Sequence, residues 1–175
     1  MITHQIGNLL EAPDVDALLQ QCNIYHTMGA GIALAIKRKF PEAYEADCQT
    51  VKGDESKLGT FSVGEIKQPK TRLKYVINLY SQADFGGSNR QTSYDAMVAG
   101  LEKVEEWLIS KKCEKIFTLG IPYRMGAGLA NGDWRIIRAI IESVFADSSI
   151  NVVIYYLPEF AGECPKSDDS SLLGF

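Results

Sequence analysis

Two short glycine segments carry the chemistry that is most legible in this sequence. Residues 29–33 read GAGIA and residues 126–130 read GAGLA. Each follows an apolar, strand-like run and opens a helix-like one. Glycine at such a turn permits positive φ and close backbone approach, and a helix N-terminus offers unpaired N–H groups with a favourable dipole. One such loop is an ordinary tight turn. Two, both leaving the carboxyl ends of strands, point to a cleft that grips a diphosphate from both sides. The competing phosphate motifs fail. A dinucleotide-binding βαβ unit wants GxGxxG, but GAGIAL lacks the third glycine, and GxxxxGK[ST] occurs nowhere in the chain.

The elements that must position these loops alternate along the chain, as in an α/β layered fold. Residues 2–6 and 17–22 read as strands. Residues 29–44 read as a helix, with Ile32, Ile36 and Phe40 spaced by four and Ala35 beside them on one face. Lys37, Arg38 and Lys39 fall on the other side, and Pro41 is expected to end or bend this helix. Residues 60–66 and 75–80 are strand candidates, followed by the polar, glycine-bearing stretch DFGGSNRQT. Thr92 with Asp95 reads as a variant capping box ahead of an apolar stripe of Met97, Leu101, Val104 and Leu108. Residues 116–121 predict a buried strand, Asp133 an N-cap, residues 134–145 a helix, and residues 151–157 (NVVIYYL) a central strand. From Pro158 the tail is polar and broken, and residues 167–171 have the composition of a disordered segment.

Composition bounds the partners. At 175 residues and 46% apolar, the chain suffices for one well-buried core and is short for two. A formal charge of −4 gives no footprint for general nucleic-acid binding. No apolar stretch is long enough to span a membrane, and MITHQIGNLL lacks the pattern of a secretory signal. The cysteines at 22, 48, 113 and 164 form no CxxC pair, so neither zinc site nor disulfide framework is indicated. The expectations are a cytoplasmic monomer, no cofactor, no metal and no membrane partner.

The order of motifs resembles the macro domain family. An opening strand carries IGNLL; then come QQCNIYHTMGAGIALAIKRKFPEAY, YSQADFGG and GIPYRMGAGLANGDW. The similarity covers the chain to about residue 157, and is greatest to the branch that includes the ADP-ribose-1″-phosphate phosphatases. It implies a three-layer α/β/α fold with a mixed central sheet over residues 1–157, followed by a polar tail over 158–175. It also implies ADP-ribose, or its 1″-phosphate, as the small-molecule ligand.

What the resemblance implies can be placed residue by residue. Gly7 and Asn8 match a family Gly-Asp pair whose Asp holds the adenine amino group, and Leu9 would offer its backbone N–H to the base. Asn8 lacks the charge of an Asp, which weakens that contact; a turn-forming role is the competing reading. Asn23 matches the residue at the distal ribose. Gly29, Ala30, Gly31 and Ile32 would surround that ribose and the diphosphate, with Gly126, Ala127, Gly128 and Leu129 covering the other side. Trp134 would pack the helix start, and Tyr156 or Leu157 the adenine. The branch that frees ADP-ribose from glutamate uses a Lys nucleophile and an Asp; by motif those positions are Leu79 and Ala130, which cannot do that chemistry. The remaining catalytic candidates are Asn23, His26, Asp84 and Asp133, the last with an N-cap role as the competing reading. His26 would hold a proton near the distal ribose or else stabilise its loop, and Asp84 would orient a water or cap its turn. The expected reaction is hydrolysis of ADP-ribose 1″-phosphate. The alternatives are release of ADP-ribose from an ADP-ribosylated protein or nucleic acid, and binding without turnover.

Overall fold

The computed structural model describes residues 1–111 and 117–166. A six-stranded sheet runs in the order β1-β6-β5-β2-β4-β3. Its strands are β1 (Ile2–Ile6), β2 (Ala17–Asn23), β3 (Thr60–Glu65), β4 (Tyr75–Gln82), β5 (Thr118–Pro122) and β6 (Asn151–Tyr156). β3 is antiparallel to β4, and the other pairings are parallel. The sheet is therefore mixed, as expected.

Strand alternation sends apolar residues to both faces. Leu18 and Val76 share one core with Leu9, Ile36 and Ala43, which places α1 (Gly31–Lys39) and α2 (Pro41–Cys48) on that face. Leu19, Ile77 and Leu79 pack on the other face against Met97, Leu101, Val104 and Leu108 of α3 (Tyr94–Lys111). Ile137 and Ile141 of α4 (Trp134–Val144) join the same core. The three layers follow directly. Between β2, β4 and α2, buried amides form a chain: Gln20 donates to Asn78 Oδ1 (2.8 Å) and Asn78 donates to the Ala43 carbonyl (2.8 Å), while Gln20 Oε1 has no partner among the described residues.

Several local expectations are corrected. Pro41 does more than end a helix: it occupies the first turn of α2, where its missing N–H leaves no bond unmade. Ile32 is not core; it is 39% exposed. The cap of α3 is Ser93, not Thr92: Ser93 Oγ accepts from the Ala96 N–H (3.2 Å). Thr92 is instead buried, for a reason given below. β6 is interior but lies one strand from the edge formed by β1. Beyond it, Pro158–Glu163 is a 3-10 helix rather than broken tail, and Phe160 sets its ring against Tyr123 (5.5 Å between centroids). Asp133 caps α4 as expected, accepting from the Arg135 N–H (2.9 Å). Trp134 meets Tyr123 edge-on (5.2 Å). Ile116, Cys113 and the 167–171 stretch lie outside the described residues.

Candidate functional site

The parallel strands put the ends of β2, β4, β5 and β6 on one rim. β2 and β5 are neighbours, yet α1 and α4, which follow their loops, pack on opposite faces. A crevice must open between those loops, the place where layered α/β folds bind ligands. Here it is a cleft with two lobes of about 590 and 440 Å³. Gln21, Ala30, Ala33, Gln82 and Leu129 line both and form the waist between them. The larger lobe is walled by Asn8, Arg124, Tyr155, Leu157 and Phe160. Cys22, Asn23, Thr27, Asp47 and Phe85 wall the smaller.

Both glycine loops border the waist, through Ala30 and Leu129. α1 begins at Gly31, and its N-cap Ala30 provides no side-chain bond to the first turn. The N–H groups of Gly128 and Leu129 likewise have no partner among the described residues. Such groups bind anionic oxygens without further help. Backbone strain gathers in the same loops: His26 (φ 59°) and Met28 (φ 33°) in the first, Arg124 (φ 60°) and Asn131 (φ 54°) in the second.

A polar cluster beneath the second loop fixes its height. Thr92 donates to the Gly126 carbonyl (2.7 Å) and accepts from Gln21 Nε2 (3.0 Å). Ser81 donates to Gln21 Oε1 (3.2 Å). Gly126 has φ +75°, and a Cβ there would lie 2.3 Å from Gln21 Oε1. Thr92 is buried because this loop needs its hydroxyl.

The structure brings most of the expected ligand-binding residues to the cleft. Asn8, Leu9, Gly31, Ile32, Gly126 and Gly128 line the larger lobe, Asn23 and Gly29 the smaller, and Ala30 and Leu129 both. Ala127 is the exception, packing against the core below α3 and α4. Asn8 caps a short 3-10 turn, its Oδ1 accepting from the Leu10 N–H (3.0 Å). Asn23 ties its own loop: Nδ2 donates to Thr27 Oγ1 (2.6 Å), and Oδ1 accepts from the Tyr25 N–H (2.9 Å).

His26 and Asp84 are not among the lining residues. The ring of His26 meets the Thr50 hydroxyl (2.9 Å), and Asp84 accepts from the Phe85 N–H (2.8 Å). Both positions correspond to the loop-stabilising and turn-capping readings. Leu79 is buried against α3, where its side chain fills the space a Cβ on Gly100 would take. The β4 side chain that reaches the cleft is Gln82, three residues further on.

Sequence reasoning missed Gln21, Gln82, Phe85, Phe160 and Asp47. The two glutamines had a readable signal, being polar in the carboxyl-terminal halves of strands that begin apolar. Asp47 had none; it sits on α2, far from either glycine loop in sequence, and is 1% exposed. Around it, burial pushes the Cys22 thiol well above its ordinary value and holds the Lys57 ammonium below its own. Cys22 is thus a neutral wall of the smaller lobe, not a thiolate.

A three-layer domain whose ligand cleft lies between two glycine loops at the ends of β2 and β5 defines a family. Residues 20–141 match the Macro domain model, and the chain belongs to the macro domain family. It is 37% identical over 134 residues to an uncharacterized 17.5 kDa protein of Enterobacteria phage T4, covering 76% of this chain and 81% of that one. It is 30% identical over 159 residues to a DNA ADP-ribosyl glycohydrolase of Mycobacterium tuberculosis, covering 89% of this chain but only 42% of the relative. The macrodomain of Mycobacterium tuberculosis DarG superposes with a TM-score of 0.75 at 28% identity, over 89% of this chain and 97% of that one. A shorter match, 45% over 53 residues, is to an ADP-ribose 1″-phosphate phosphatase of Aspergillus clavatus (29% of this chain, 27% of the relative).

Proposed function

We propose that the chain binds ADP-ribose in this cleft and hydrolyses ADP-ribose 1″-phosphate to ADP-ribose and phosphate. The observation that carries the binding half is the pair of loops that border the waist and carry unpartnered N–H groups, donors suited to the anionic oxygens of a diphosphate. The adenosine half then falls in the larger lobe, with Phe160 and Leu157 against the base, and the distal ribose in the smaller. In the hydrolysis, water adds to phosphorus and the ribose 1″-oxygen leaves. The protein's share is positioning and N–H donation to the phosphate oxygens.

The Mycobacterium relative favours a second reading, release of ADP-ribose from DNA. The lysine nucleophile and Asp that the resemblance assigns to the branch acting on glutamate are not at hand for it: among the described residues lining the two lobes, none is a lysine, and the Asp position is the buried Ala130. That favours the phosphatase. Phosphate release from ADP-ribose 1″-phosphate by the intact chain, with no ADP-ribose freed from an ADP-ribosylated oligonucleotide, is the expected result. The reverse pattern overturns the reaction assigned here, and binding with turnover of neither makes the domain a binding module.

A further inference from the structure

One buried group in the smaller lobe is left over by everything above. Asp47 belongs to the wall of that lobe, and its side chain is 1% exposed. Its Oδ1 is fully engaged: the Tyr80 hydroxyl donates to it (2.8 Å), with Lys57 Nζ and His26 Nε2 each at 3.8 Å. Its Oδ2 is buried and has no hydrogen-bond partner among the described residues. A buried carboxylate oxygen without a donor is costly, and a donor that enters the lobe relieves that cost.

The carboxylate is also held still. Tyr80 takes a bond from Ser62 (2.8 Å) while donating to Asp47, and Lys57 is fixed by the Ile24 carbonyl (3.2 Å) and by the Tyr80 ring (4.2 Å to the centroid). An acceptor so preorganised gives a hydrogen bond at little ordering cost. Asn23 does not compete for the role, since both ends of its amide are spent on the loop.

We propose that Asp47 is a ligand-binding residue of the smaller lobe, with Oδ2 accepting a hydrogen bond from a hydroxyl group of the distal sugar. A neutral or cationic donor fits this site; a phosphate oxygen does not, because two anionic acceptors repel. The site thereby separates the ends of the ligand, with N–H donors for phosphate at the waist and a carboxylate for hydroxyl beyond it. This rests on the reading that the distal ribose occupies the smaller lobe.

Calorimetry with ADP-ribose and with ADP, which lacks the distal ribose, tests it. Asp47→Asn keeps the oxygen that Tyr80 needs and turns the free acceptor into a donor. The variant is expected to lose about tenfold to a hundredfold in affinity for ADP-ribose while binding ADP as the wild type does. Equal loss for both ligands, or no loss for ADP-ribose, overturns the proposal. Should the variant fail to fold, the ligand carries the test instead. ADP-ribose analogues each lacking one distal hydroxyl, at 1″, 2″ or 3″, are expected to include one that binds the wild-type chain about tenfold more weakly, and unchanged affinity for all three overturns it. If the wild type binds ADP but gains nothing from the added ribose, the lobe assignment fails and this inference with it. If it binds neither, the proposed function itself is wrong.

Discussion

The two glycine loops share nearly the same letters, GAGIA and GAGLA, and need their glycines for different reasons. A Cβ on Gly29, the counterpart of Gly126, would come no nearer than 3.7 Å to the Thr27 carbonyl oxygen, and one on Gly31, with φ +55°, would meet nothing within 4 Å. Gly126 has φ +75° and, in addition, no room: Gln21 Oε1 occupies the space. The first loop rests on its own helix and keeps its glycine for backbone shape and an open face. The second is bolted from below by Thr92 and Gln21. A repeated motif therefore marks two N–H donor sites of unequal rigidity, one adaptable and one preset.

Mutations test that inequality, and the largest effect belongs to the second loop. Gly126→Ala combines left-handed strain with overpacking against Gln21, and is expected to cost about 3 kcal/mol of stability and abolish ADP-ribose binding. Thermal unfolding and calorimetry measure the two. Thr92→Val removes the donor to the Gly126 carbonyl and is expected to cost about 2 kcal/mol in a denaturant titration, leaving that carbonyl and Gln21 short of a partner. Gly31→Ala meets only the conformational penalty, about 1 kcal/mol, with a fall in ADP-ribose affinity that outweighs the loss of stability. A Gly31→Ala variant as unstable as Gly126→Ala would erase the distinction between the loops.

The smallest effect is electrostatic and belongs to the first loop. Burial holds the His26 imidazole below its ordinary value, with the nearby Asp47 carboxylate opposing and Lys57 adding to the fall. The unfolded chain then binds this proton more tightly than the folded one. The stability that His26 contributes is present above about pH 6.5 and declines as pH falls below it. His26→Gln is expected to flatten that part of the decline, read from denaturation midpoints between pH 7 and pH 5. A steeper decline in the variant would contradict the placement of His26 behind its loop.

Much of this layout was legible in the sequence because it depends on local pattern. The apolar stripe Met97, Leu101, Val104, Leu108 is wholly buried, and the Asp133 cap is made. Both glycine loops lie where strand-then-helix order puts them. What escaped depends on pairing across the sheet. Thr92 looks like a helix cap until Gln21, on a distant strand, is seen to need it. Leu79 and Gln82 differ by three positions on one strand, and only the packing of β4 on α3 tells which faces core and which faces cleft. Asp47 is the extreme case, since α2 brings it under a loop it never approaches in sequence.

The central claim is that ADP-ribose lies across the cleft with its diphosphate between the loops. Titration of the isotopically labelled chain with ADP-ribose, followed through backbone amide shifts, tests this most directly. The account predicts saturable shifts largest at Gly31, Ile32, Gly128 and Leu129, in the two loops that border the waist. An absence of shifts at millimolar ligand would contradict it. So would shifts confined to the separate groove lined by Lys39, Phe40 and Lys67 beside the β3–β4 connection.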